Sequence, residues 1–225
     1  SGMIHPDLKK YHATMLVFIL TDAQIENAPL QKILENAADN SFDCISVDGD
    51  TSTNDTFIAL ANGQSKTGKL QGADLKKFAD AFEKLSLELA KSLVKDGEGA
   101  TKFIEIEVKG AKTKKDAKKI AQTISTSPLF KTAIFGADAN WGRVLAAAGR
   151  AGIVFDWSKI NVSFGGIDVF KKGIPVNFSE SEAKENLSKK EIKITIDLRC
   201  GKEKSAYYTC DFSYDYVKIN GDYRS

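Results

Sequence analysis

The sequence predicts an α+β fold within the broad α/β class, and three observations lead there. Stretches of strand length recur along the chain, continuous in Met15–Leu20 and alternating in Phe103–Lys109 and Ile192–Leu198. Between them runs a helical face of Leu75, Phe78, Phe82, Leu85, Leu89 and Leu93, spaced by three and four. The composition of the 225 residues, 42% hydrophobic with 17 Gly and 4 Pro, suits a chain that buries a core. It excludes disordered, collagen-like and low-complexity classes. With 32 Lys plus Arg against 30 Asp plus Glu, the net charge of +2 argues against a basic nucleic-acid platform.

Taken in order, Met15–Leu20 has the length and branching of a buried strand. Asp22 to about Ala38 turns helical through Ile25, Leu30, Ile33 and Leu34, with Asp22 as the expected N-cap. Phe42–Val47 is a short strand, residues 48–55 a polar loop, and Thr56–Ala61 a strand or helix start. The long helix follows and ends at Asp96-Gly97, glycine being the usual residue just past a helix. Phe103–Lys109 is expected to be half-buried. The next helix carries Ala117, Ile120, Ala121 and Ile124 and stops before Pro128. Leu129–Phe135 is expected as an apolar strand, Asn140–Gly149 as a closely packing helix, and Ile160–Phe164 with Ile167–Phe170 as a hairpin around Gly165-Gly166. A short helix at about Ser181–Leu187 precedes the strand Ile192–Leu198, and Ala206–Ile219 is expected to return beside it as its partner. The pattern allows two α+β lobes divided near Gly173 without forcing that boundary.

The longest apolar run, Met15–Leu20, is far short of the roughly 20 residues of a membrane helix. Lys9-Lys10 precede it, but Asp22 stands where a small-residue cleavage site would lie. Cys44, Cys200 and Cys210 are too few and too scattered for a disulfide framework. These features point to a cytoplasmic chain with no membrane or nucleic-acid partner.

Asp48, Asp50, Ser52 and Asn54 alternate as in a calcium loop, but Thr53 replaces the required glycine and Ala59 the closing Glu. A turn is expected there. His5 and His12 have no metal-ligand spacing, so no metal is expected; His12 near Thr14 reads best as a surface histidine. Gly97-Glu98-Gly99-Ala100-Thr101 joins a helix to a strand, the reverse of a phosphate-cradling loop, and taken alone is a turn with a solvated Glu. The late aromatic and basic residues Tyr207, Tyr208, Tyr214, Tyr216 and Lys218 are expected on alternating strand positions.

Seven stretches together resemble one family. They are Gly2–Pro6, Ala13–Leu16, Val47–Thr56, Asp96–Lys102, Lys131–Gly136, Asn140–Arg143 and Tyr214–Asn220. Their order and approximate spacing are similar to the β chain of ornithine acetyltransferase (glutamate N-acetyltransferase), a bifunctional enzyme of arginine biosynthesis. The resemblance implies the self-cleaving sandwich of sheets and helices shared by the DmpA aminopeptidase and ornithine acetyltransferase group. It implies cleavage at Ala13-Thr14, with residues 1–13 the tail of the α-chain region and residues 14–225 the β chain.

The freed Thr14 would be the catalytic nucleophile and its own α-amino group the base. An α-amine of pKa roughly 7.7–8.0 is partly neutral near pH 7 and can take the hydroxyl proton. The implied reaction passes acetyl from N-acetylornithine through acetyl-Thr14 to glutamate, with no cofactor and with acetyl-CoA as an optional co-substrate. Thr14, Glu98, Asn220 and Ser225 fall on substrate-binding positions, Ser225 where the family usually has Thr. The implied partner is the α chain of the same precursor in an α2β2 assembly. The stretch Leu8–His12 is longer than the family's usual approach to the Ala-Thr bond. Two other functions fit the same residues: an N-terminal-nucleophile amidohydrolase passing the acyl group to water, and an unprocessed inactive half serving as an assembly partner, since Thr14 is internal in this sequence.

Overall fold

In the computed structural model, which describes residues 15–51 and 54–222, the chain divides after Leu93 into two units. The first holds β1 (Leu16–Thr21), α1 (Asn27–Asn40), β2 (Ile45–Ser46), β3 (Thr56–Ala61) and most of α2 (Gly72–Lys95). β1 and β3 pair in parallel, from Leu16 beside Thr56 to Thr21 beside Ala61. Parallel strands need a crossover, and α1 lies in it. Val17 and Ile19 of β1 are buried, whereas Leu16, Phe18 and Leu20 are 65%, 56% and 72% exposed. The strand is therefore apolar on both faces and covered on one. Beneath the covered face, Phe57 meets Phe42 edge-on at 4.8 Å and lies 5.9 Å from Phe82 of α2. α1 begins after Asp22 because Pro29 must sit in a first turn, where its missing N–H costs nothing.

The second unit continues with β4 (Phe103–Ala111), α3 (Lys114–Ser125), α4 (Pro128–Phe135), α5 (Trp141–Gly149), β5 (Asn161–Phe164), β6 (Ile167–Lys171) and β7 (Ile174–Pro175). It ends with α6 (Glu180–Leu187), β8 (Glu191–Asp197), β9 (Glu203–Cys210) and α7 (Tyr214–Asp222). Its sheet runs β9-β4-β8-β5-β6-β7, with β4 parallel to β8 and antiparallel to β9. Ile104, Ile106 and Val108 bury one face of β4, where α3 brings Ala117, Ile120, Ala121 and Ile124. On the other face Lys193 bridges Glu105 and Glu107 at 2.9 and 3.2 Å, so the strand is half-buried as its alternation predicts.

The mixture of helices and strands is the α+β pattern that the sequence predicts, with differences at particular elements. α1 has Glu26 and not Asp22 at its N-cap, Phe42–Cys44 is a turn of 3-10 helix so that the strand holds only Ile45–Ser46, and β9 lies beside β4 and not beside β8. Leu129–Phe135 is helix α4, not a strand: Pro128 occupies its first turn and the Ser127 hydroxyl accepts from the Phe130 amide. An apolar run of that length is ambiguous, and the Ser-Pro start decides it. The expected strand Ala206–Ile219 is strand only to Cys210; Ser213 then accepts from the Asp215 amide and starts α7. The late aromatics are divided accordingly, with Tyr207 fully buried on β9 and Tyr214 83% exposed on α7. Gly173 lies inside the second unit, at the turn between β6 and β7.

Candidate functional site

Glu98 stands in the turn Gly97–Thr101, between the end of α2 and β4. Gly99 has φ +66°, and a Cβ there would lie 2.4 Å from the Tyr216 amide nitrogen, so only glycine lets the turn approach α7 this closely. The Ser213 hydroxyl donates to the Gly99 carbonyl at 2.5 Å. On α7, the Asn220 side-chain amide donates to Glu98 Oε2 at 2.9 Å and to the Tyr216 carbonyl at 3.0 Å. Two residues 122 positions apart thus meet, and both side chains are exposed.

Beneath the turn, the fully buried Asp211 carboxylate accepts from the Thr101 and Lys102 amides, each at 2.8 Å, and from the Thr101 hydroxyl at 2.5 Å. The Lys102 ammonium donates to the carbonyls of Ile134 and Phe135 at 2.6 and 3.1 Å, capping the negative end of α4. Burial pushes the Lys102 pKa below its ordinary value, and the nearby Asp211 charge opposes that shift. Lys131, wholly buried, donates to the Thr209 hydroxyl at 2.8 Å and to the Cys210 carbonyl, with its nitrogen 4.5 Å from the centre of the Phe212 ring. Burial raises the Cys210 thiol pKa against the pull of Lys131. In the same unit, a cavity of about 630 Å³ is lined by Asp138, Asn140, Trp141, Glu180, Ser181 and Lys184.

An exposed carboxylate oriented by a neutral amide is suited to an ammonium group, since a charge-assisted hydrogen bond needs a fixed acceptor. The structure brings together Glu98 and Asn220 of the expected residues. Ala13, Thr14 and Ser225 lie outside the described residues, as do His5 and His12. Met15, the residue after Thr14, is buried ahead of β1, and its carbonyl accepts from the Thr56 amide at 2.7 Å. In the acidic loop, the Asp50 amide donates to Asp48 Oδ1 at 2.9 Å, a local turn. No group of three or more His, Cys, Asp and Glu among the described residues is placed to hold a metal ion. Asp211 and Ser213 are participants that pattern reading missed. Their signal is a short polar residue just before an Asp-containing helix start, masked by the aromatic alternation around it.

The ArgJ family model matches residues 1–225. The arginine biosynthesis bifunctional protein ArgJ of Symbiobacterium thermophilum is 47% identical over 227 residues, covering 100% of this chain and 56% of that protein. Its namesake in Caldanaerobacter subterraneus is 48% identical over 231 residues, covering 100% of this chain and 56% of that one. The chain spans about half the length of the curated relatives it matches. A crystal structure of the arginine biosynthesis bifunctional protein ArgJ from Bacillus halodurans superposes with a TM-score of 0.91 at 41% identity, over 93% of this chain and 100% of that one.

Proposed function

The chain belongs to the ArgJ family, and on that premise we propose that it is the β-chain portion of an enzyme transferring acetyl from N-acetylornithine to glutamate in arginine biosynthesis. Cleavage at Ala13-Thr14 frees the α-amine of Thr14. That amine takes the hydroxyl proton as Thr14 Oγ attacks the acetyl carbonyl, and ornithine leaves with the proton on its nitrogen. The amine of glutamate then attacks acetyl-Thr14, restoring the hydroxyl and giving N-acetylglutamate. The chemistry needs no cofactor, and acetyl-CoA is an alternative acetyl donor. The proposed setting is the cytoplasm.

The observation that carries this reading is the 2.9 Å contact between Asn220 and Glu98. The amide fixes the carboxylate, and the carboxylate suits the side-chain ammonium of N-acetylornithine. Thr14 and Ser225 complete the proposed substrate-binding set. The proposed partner is the α chain of the same precursor, in an α2β2 assembly. Its support is the bare apolar face of Leu16, Phe18 and Leu20, beside Leu60 at 54% exposure.

The test uses the full-length protein with N-acetylornithine and glutamate. Equimolar ornithine and N-acetylglutamate are expected, together with a fragment starting at Thr14 that gains one acetyl group when glutamate is withheld. Acetate in place of N-acetylglutamate would make the protein an amidohydrolase. An uncut chain with no acetyl adduct would refute the mechanism.

A further inference from the structure

We infer that Asp211 is a positioning residue for substrate recognition: it fixes the Gly97–Thr101 turn against the start of α7 so that Glu98 and Asn220 are held in one geometry. The inference rests on reading Glu98 and Asn220 as the amino-acid site.

A carboxylate fully removed from water is costly unless its oxygens are hydrogen-bonded. Asp211 meets that need with three donors, all from Thr101 and Lys102, the residues that close the turn bearing Glu98. The sheet ladder cannot do this work. Pairing of β4 with β9 ends at Phe103 and Cys210, after which the Asp211 amide makes a 3.3 Å bond to the Lys102 carbonyl. The Asp211 side chain begins where the ladder stops and holds the next two residues.

The turn needs such an external tie. Glu98 is flanked by Gly97 and Gly99, which give the backbone freedom rather than stiffness. On the other side, Asp211 lies two residues before Ser213, whose hydroxyl donates to Gly99 and accepts from the Asp215 amide at the start of α7. The segment Asp211–Ser213 therefore grips the turn at both ends and launches the helix that carries Asn220.

The test is steady-state kinetics on the full-length enzyme for Asp211→Asn, Glu98→Gln and the double variant. The donors are N-acetylornithine and N-acetylnorvaline, which lacks the side-chain ammonium. Asp211→Asn is expected to raise the KM for N-acetylornithine about tenfold, the scale of one misaligned charge-assisted hydrogen bond. It should leave kcat and the KM for N-acetylnorvaline nearly unchanged, and add nothing to Glu98→Gln. Equal KM increases for both donors, additivity with Glu98→Gln, or an unchanged KM would overturn the inference. Should Asp211→Asn fail to fold, Ser213→Ala removes the tie to Gly99 together with the bond to the Asp215 amide at the start of α7, and should give the same donor-selective pattern in smaller degree; a donor-independent effect would overturn it.

Hydrogen exchange supplies a readout independent of activity. Asp211→Asn should speed exchange of the Thr101 and Lys102 amides while leaving the rest of β4 protected, and unchanged exchange there would overturn the clamp. If the unsubstituted enzyme transfers no acetyl, or Glu98→Gln leaves KM unchanged, it is the reading of the site that fails, and exchange alone then decides the clamp.

Discussion

Lys102 shows how one side chain serves both the turn and the helix behind it. Its ammonium is drawn from water to cap the carbonyls of Ile134 and Phe135, and burial lowers its pKa below the ordinary 10.5. Between the folded and unfolded values the unfolded chain binds more protons, so this group makes stability rise with pH across that window. Below the window the charged amine carries its full burial penalty, and above the ordinary value the dependence ends. Lys102→Met should therefore lose an upward slope that the unsubstituted protein shows as pH rises toward the ordinary lysine value of 10.5. Urea midpoints measured across that range check the sign, and parallel curves would refute it. Glu98 and Asn220 were legible through their motifs. The role of Asp211 was not, because a sequence shows a polar residue between two apolar stretches and not the three donors that surround it.

At the scale of elements, periodicity located the long helices and failed where start signals compete with it. α3 combines both kinds of evidence: its inward residues Ala117, Ile120, Ala121 and Ile124 are fully buried, and the Thr113 hydroxyl accepts from the Asp116 amide at 3.0 Å. Thr113→Ala should destabilise the protein by about 1 kcal/mol, the usual worth of such a cap, without altering the spectrum of the folded state. Denaturant unfolding measures it, and a loss below a few tenths would show the cap to be idle. α4 and α7 both read as strands in the sequence for one reason. Each is a short apolar or aromatic run, and such runs fit either element until a capping Ser is recognised in front of them.

At the scale of the whole molecule, the outer face of β1 and β3 departs from what a lone folded chain usually presents. Leu16, Phe18 and Leu20 stand beside Thr56, Ile58 and Leu60 by register. A continuous apolar strand usually means cover on both faces. The chain by itself should accordingly bind an apolar fluorescent dye. Replacing Leu16, Phe18 and Leu20 with serine should reduce that binding while circular dichroism is kept, and undiminished dye binding would place the apolar surface elsewhere.

The sequence by itself determined the α+β class, the main helices and strands, the membership of the family and the candidacy of Glu98 and Asn220. These are matters of local periodicity and of residues standing in a fixed order. Tertiary structure alone decided that the Glu98 turn lies against α7, that Asp211 is buried beneath it, and that one face of β1 is covered while the other is bare. Each of these depends on which groups are desolvated together across distant parts of the chain, and desolvation is set by the packed fold rather than by neighbours in sequence.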